Sequence, residues 1–102
     1  MARQRIDITW DPSKARKNES NHGVTFDEAT EVLLDPMALT QFDVAHSTDE
    51  ERWFTLGATT RRRFLAVSHT YLCEPEEDVL VRIISAREAT RRERQQYQNE
   101  PR

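Results

Sequence analysis

Arginine is the residue with the most chemistry to offer in this chain, and it is unevenly placed. Residues 52–102 carry 10 basic residues against 7 acidic ones, and every base there is an arginine; residues 1–51 carry 5 against 11. A guanidinium grips phosphate through two parallel N–H bonds and stacks on flat rings, which an ammonium cannot do. The densest stretch is Val79–Tyr97, VLVRIISAREATRRERQQY, where Arg82 and Arg87 are followed by Arg91, Arg92 and Arg94. A strand delivering arginines to a basic helix would hold phosphates on a rigid support. The same residues also read as a solvated, salt-bridged terminal helix. His22, His46 and His69 are far apart and no HExxH or carboxylate cluster accompanies them, so no metal constellation is read. Neither a phosphate-binding loop, a dinucleotide fingerprint nor a nucleophile elbow is present. His22 precedes Gly23 at a helix end, as a dipole-compensating cap or a base. His69 falls in a strand, facing core or groove, and Trp53 is a core residue or a platform for a nucleobase. Glu50 and Glu51 are solvated loop charges, or one is a general base.

The elements that position these side chains follow from periodicity and capping signals. Ile6–Trp10 alternates as a short strand. Asp11-Pro12 opens a helix that runs to about Asn21 and stops at Gly23. Thr25 and Glu28 form a capping box for a second helix, with Val24 able to staple onto Ala29, and Asp35-Pro36 ends it. Phe26, Ala29, Val32 and Leu33 share one face of that helix, which should cover a sheet. Met37–Phe42, Arg52–Thr59, Arg63–Leu72 and Val79–Ser85 read as strands. The acidic loop Asp43–Glu51 and the hairpin connection Glu74–Asp78 separate them. Val79–Ser85 is apolar on both faces and so should be interior. Thr90, three residues before Glu93, caps a last helix through about Gln98. Strands joined by short turns predict an antiparallel α+β sheet with helices on one side.

The 102 residues suit one domain spanning 1–102. Hydrophobic content of 36% and charged content of 32% still leave enough apolar runs to exclude wholesale disorder. The net charge of −3 argues mildly against general nucleic-acid binding, but a basic face on an acidic body escapes that sum. Cys73 stands alone, which fits a reducing cytoplasm. The polar N-terminus and the short apolar runs point to neither a signal peptide nor a membrane span.

A resemblance covers about residues 8–97. Trp10-Asp11 with Lys14 and Asn18, His22-Gly23-Val24 with Phe26 and Ala29, and Asp35-Pro36 carry its first half. His46-Ser47, Glu51-Arg52, Leu56-Gly57, Arg63, and RIISAREATRRER with Tyr97 carry its second. In these residues the chain resembles the BrnT-type toxins, ribonuclease halves of bacterial type II toxin–antitoxin pairs with a RelE-like fold. It departs from them at Asn21, where lysine is common, and at Arg62, where glycine often stands. The resemblance implies a RelE-like antiparallel sheet with two N-terminal helices on one face and a basic C-terminal helix. It also implies RNA cleavage without metal or cofactor, with inhibition of translation and growth. The 2′-hydroxyl loses a proton and attacks phosphorus, and the 5′-oxygen leaves with one. Arg52, Arg63 and Arg87 would form the phosphate cluster, with Arg82, Arg91 and Arg94 on the RNA backbone. Trp53 would stack a base, and His22 or His69 would move protons. A BrnA-type antitoxin would cover the basic face, and DNA would be reached only through that partner. A non-catalytic RNA- or protein-binding module retaining the fold is the alternative.

Overall fold

The computed structural model describes residues 5–73 and 78–101. Strand β1 (Ile6–Thr9) leads to helix α1 (Pro12–His22), capped by the Asp11 carboxylate, which accepts from Ser13 N–H at 2.8 Å. Gly23, at φ 66°, supplies the left-handed stop, donating its N–H to the Glu19 carbonyl at 2.8 Å. Both halves of the Thr25–Glu28 capping box form at the head of α2 (Phe26–Leu33), and Val24 and Ala29 are fully buried at the staple positions. Strand β2 (Leu39–Phe42) starts later than Met37 because Asp35 turns the chain first. Its carbonyl accepts from Ala38 N–H and its carboxylate from Met37 N–H. A 3₁₀ turn at Val44–His46 interrupts the acidic loop before β3 (Trp53–Ala58). Beyond it come β4 (Phe64–His69), β5 (Leu72–Cys73), β6 (Val79–Glu88) and α3 (Arg91–Asn99), whose Thr90–Glu93 capping box is complete. Most of the acidic Glu74–Asp78 connection lies outside the described residues.

The sheet runs β1-β6-β4-β3-β2, with β5 pairing β6 off this path. Strand β6 is therefore interior, as its apolar run predicts. Several expectations need correction. The sheet is only mostly antiparallel, because β1 pairs parallel to β6 from Ile6–Val79 to Thr9–Arg82. No tight turn joins these strands, so nothing local forces them antiparallel. The single strand expected over Arg63–Leu72 is divided into β4 and β5, with a shift in the ladder between Ser68 and His69. Nor is β6 buried on both faces: Leu80 is 46% exposed and Arg82 is exposed.

That shift has a consequence for chemistry. Ser68 pairs with Ser85 and His69 with Ile83, so Ile84 is an extra residue in β6, a β-bulge. Val79, Val81 and Ile83 face the core, and after the bulge Ala86 does so in place of Ser85. Uninterrupted alternation would have turned Arg87 inward; the bulge turns it out.

Helix α2 lies over β3, β4 and β6, with Phe26, Ala29 and Val32 packed among Leu65, Val67, Ile83 and Ala86. Gly57 allows the close approach, since a Cβ there would meet Val32 Cγ1 at 2.9 Å and the Val32 carbonyl oxygen at 3.2 Å. Helix α1 packs on β6 through Asn18, which is 5% exposed. Its amide nitrogen donates to the Val24 and Ala86 carbonyls at 2.9 and 2.8 Å, and its oxygen accepts from Ala86 N–H at 3.0 Å. Strand β1 pairs with β6 no further than Arg82, so this side chain takes over the ladder where the strand runs out. Helix α3 is held by Tyr97, which meets Phe64 edge-on and donates to Asp35 at 2.6 Å. Phe64 points opposite to Leu65, so α3 lies across the sheet from α2.

Replacing Asn18 with alanine strands three buried backbone groups, each worth about 1–3 kcal/mol. Urea denaturation of Asn18→Ala should show a loss of about 3 kcal/mol or more. Gly57→Ala should lose about 1–3 kcal/mol through the clash with α2, and an unchanged midpoint would refute that account.

Candidate active site

The sheet face opposite α2 is covered by α3 at one end and open at the other, where a cleft of about 440 Å³ forms. Its floor is Phe54 of β3, Ala66 and Ser68 of β4, and Ile84, Ser85 and Ala86 of β6. Its rim holds His22, Asp43, His46, Arg52, Arg87 and Glu93. Six separate segments therefore contribute polar groups to one concavity.

Arg87 is placed by the bulge and oriented by α3. Its Nη1 and Nη2 donate to the two Glu93 oxygens at 2.7 and 3.1 Å, and Nη1 also reaches the Glu88 carbonyl at 3.2 Å. Glu93 also receives the Thr90 N–H at 2.9 Å, so one carboxylate both caps α3 and holds the arginine. The Arg87 fork holds the Glu93 carboxyl below its ordinary range, and Glu93 in turn raises Arg87. Arg52, at the head of β3, has no side-chain partner among the described residues. Its backbone is fixed by Ser47, whose hydroxyl accepts from Arg52 N–H at 3.0 Å and donates to the Asp43 carbonyl. Asp43 N–H donates to the Arg52 carbonyl at 2.8 Å. This closure brings the 3₁₀ turn beside Arg52, where His46 Nδ1 bonds Asp43 Oδ2 at 2.9 Å.

Of the residues singled out by sequence, the cleft unites His22, Arg52 and Arg87. Arg63 does not join them. Alternation puts it on the α2 side, where its fork bonds Glu28 at 2.9 Å and Glu88 at 3.1–3.2 Å. These carboxylates, Glu28 foremost, raise its pKa. His69 also faces the helix side and is 1% exposed, bonded to Thr55 Oγ1 at 2.7 Å and to the Thr70 carbonyl at 2.8 Å. Trp53 is half-buried on that side between Phe42 and Tyr71, and its Nε1 lacks a partner among the described residues. Arg82 pairs with Glu50 at 2.6 Å, outside the cleft. Arg91 and Arg94 line a separate depression along α3, with Arg94 4.7 Å above the Phe64 ring. Sequence reasoning missed Asp43, His46 and Glu93 as cleft residues. Glu93 was legible only as a cap. The three-residue spacing of Asp43 and His46 fits a single turn and was the available signal.

A family model described as "Ribonuclease toxin, BrnT, of type II toxin-antitoxin system" matches residues 10–93. The 1.1 Å crystal structure of the Brucella abortus ribonuclease toxin BrnT is similar to this chain, with a TM-score of 0.58 and 22% identity. The match covers 86% of this chain and 100% of that one. At that identity the likeness speaks for a shared fold. No curated protein sequence matches the chain.

His69 makes the fold sensitive to acid. Burial lowers its pKa below the ordinary 6.5, against the weaker effect of its bond to the Thr70 carbonyl. Below about 6.5 the unfolded chain binds a proton that the native imidazole refuses, so stability is full above that pH and declines beneath it. The slope is at most ~1.4 kcal/mol per pH unit. Urea midpoints at pH 7.5 and 5.5 should fall for the wild type and converge for His69→Gln. Parallel pH dependence in the two proteins would contradict this.

Proposed function

The chain belongs to the BrnT family of ribonuclease toxins of type II toxin–antitoxin systems, and we propose that its cleft cleaves RNA without a metal ion. The observation that carries this reading is the pair Arg52 and Arg87 at the rim of one concavity whose supports are a sheet and a capped helix. One arginine has no side-chain partner among the described residues, and the other is already held as a bidentate fork. A phosphodiester oxygen competes with Glu93 for that fork and bonds Arg52 directly. Both guanidiniums then stabilise the charge that grows on the phosphoryl oxygens during attack by the 2′-hydroxyl.

Arg82, Arg91 and Arg94 extend the positive surface beyond the cleft and suit screened contacts to the RNA backbone. Arg63, His69 and Trp53, by their partners, serve the fold. In this reading the arrangement is RelE-like, cleavage in the cytoplasm inhibits translation and growth, and a BrnA-type antitoxin covers the cleft face, linking the toxin to DNA. The prior engagement of Arg87 by Glu93 also suits a second reading, a binding module that has kept the fold without turnover.

Arg87→Ala should lower cleavage of a model RNA about 10²–10³-fold while leaving the thermal melt near that of the wild type. Arg61→Ala, in the exposed turn, should cleave normally, and chelator should not affect the wild type. Equal activity of Arg87→Ala and wild type would reject the site. Loss of activity on adding chelator would reject the metal-free mechanism. Tight binding to a co-encoded small protein without any RNA cleavage would select the binding module.

A further inference from the structure

The turn that closes onto Arg52 holds a histidine–carboxylate pair that the arginine mechanism leaves unused. His46 Nδ1 lies 2.9 Å from Asp43 Oδ2, and Asp43 is itself anchored through its N–H to the Arg52 carbonyl at 2.8 Å. A carboxylate only accepts, so Nδ1 carries the proton and Nε2 of the neutral ring has a free lone pair. Nε2 has no partner among the described residues. The Asp43 side chain is 18% exposed and that of His46 67%, so the orienting group is sheltered and the ring is accessible. His22, from the C-terminus of α1, lines the same cleft with Arg52 and Arg87.

We propose that His46, oriented by Asp43, is the general base of this cleft. This rests on the ribonuclease reading above. His46 Nε2 takes the proton of the 2′-hydroxyl as the 2′-oxygen bonds to phosphorus. The bond from phosphorus to the 5′-oxygen breaks, and protonated His22 gives its proton to that oxygen. The products are a 2′,3′-cyclic phosphate and a 5′-hydroxyl, and solvent returns the two imidazoles to their starting states. Asp43 is a positioning residue: it fixes the tautomer and the ring plane and touches no substrate. The charged and titratable groups sharing the cleft with His46 are Asp43 on its own turn, Arg52 just before β3, His22 of α1, Arg87 of β6 and Glu93 of α3.

The test uses His46→Asn, whose amide can keep the bond to Asp43 but offers no base, and Asp43→Asn. Two substrates are compared: an ordinary RNA and one whose scissile 5′-oxygen is replaced by sulfur, a leaving group that needs no proton. His46→Asn should cleave both substrates about 10²–10⁴-fold more slowly and lose the acid limb of the pH–rate profile, with added imidazole restoring turnover. His22→Asn should be slow on the ordinary RNA and near normal on the sulfur substrate. Asp43→Asn should be slow with an altered pH profile and should gain nothing from imidazole, because the ring is still present. Wild-type rates and an intact acid limb in His46→Asn would overturn the assignment while leaving the arginine site standing. Recovery of His46→Asn on the sulfur substrate would make His46 the acid and overturn it equally. Absence of cleavage by the wild type would overturn the ribonuclease reading itself, and this assignment with it.

Discussion

The carboxamide of Asn18 is the contact on which the geometry of the molecule depends. It bonds the chain two residues after His22 and one residue before Arg87, so two rim groups of the cleft are referred to a single buried side chain. The amide replaces a missing strand: where β1 ends, β6 would otherwise expose an unpaired peptide edge toward α1. Burying a polar side chain there is favourable only because its donors and acceptor are matched with the backbone it meets. An apolar residue of the same volume would fill the space and leave β6 unsatisfied. The helix layer, the sheet and the cleft are thus joined through three hydrogen bonds of 2.8–3.0 Å.

Glu93 makes a second junction of this kind, between stability and chemistry. It completes the capping box of α3 and, by pairing with Arg87, keeps that guanidinium extended over the cleft. Asp35 does similar work at the far end of the same helix, accepting from Tyr97, Ala58 N–H and Met37 N–H. Burial opposes its ionisation, but these donors outweigh that cost and keep the carboxyl below its ordinary range. Both ends of a helix with almost no apolar residues are therefore secured by carboxylates, which explains how so polar a segment docks on the sheet.

How much of this was legible follows from the range of each signal. Caps at Asp11, Thr25 and Thr90 and the stop at Gly23 depend on residues two to four apart, and each formed as the spacing requires. The interior position of β6 was legible from its apolar run. The parallel pairing of β1 was not, since the residues that meet are 73 apart and share no turn. The inward turn of Arg63 and His69 followed from strand phase, which sequence alone could not assign between two faces that are both partly apolar. The order of the acidic loop Asp43–Glu51 was not legible, because it comes from Ser47 and backbone bonds to Arg52, and such contacts leave no hydrophobic trace. Arg62 is a converse case: it takes φ 66°, and the glycine often found there in the family it resembles was a readable sign of a left-handed turn.

The position of β6 along the chain also bears on how the protein is made. A ribosome delivers β1, both N-terminal helices and the other described strands before β6, yet β1, β5 and α1 join the rest of the sheet mainly through it. A nascent chain that has not released Val79–Glu88 holds an incomplete core, an unpaired β1 and an amide at Asn18 with no Ala86 to bind. Arg87 emerges on that same strand, and Glu93, which orients it, later still. Joining of β1 and α1 to the sheet and completion of the cleft thus both come late, once the strand that links them has been synthesised.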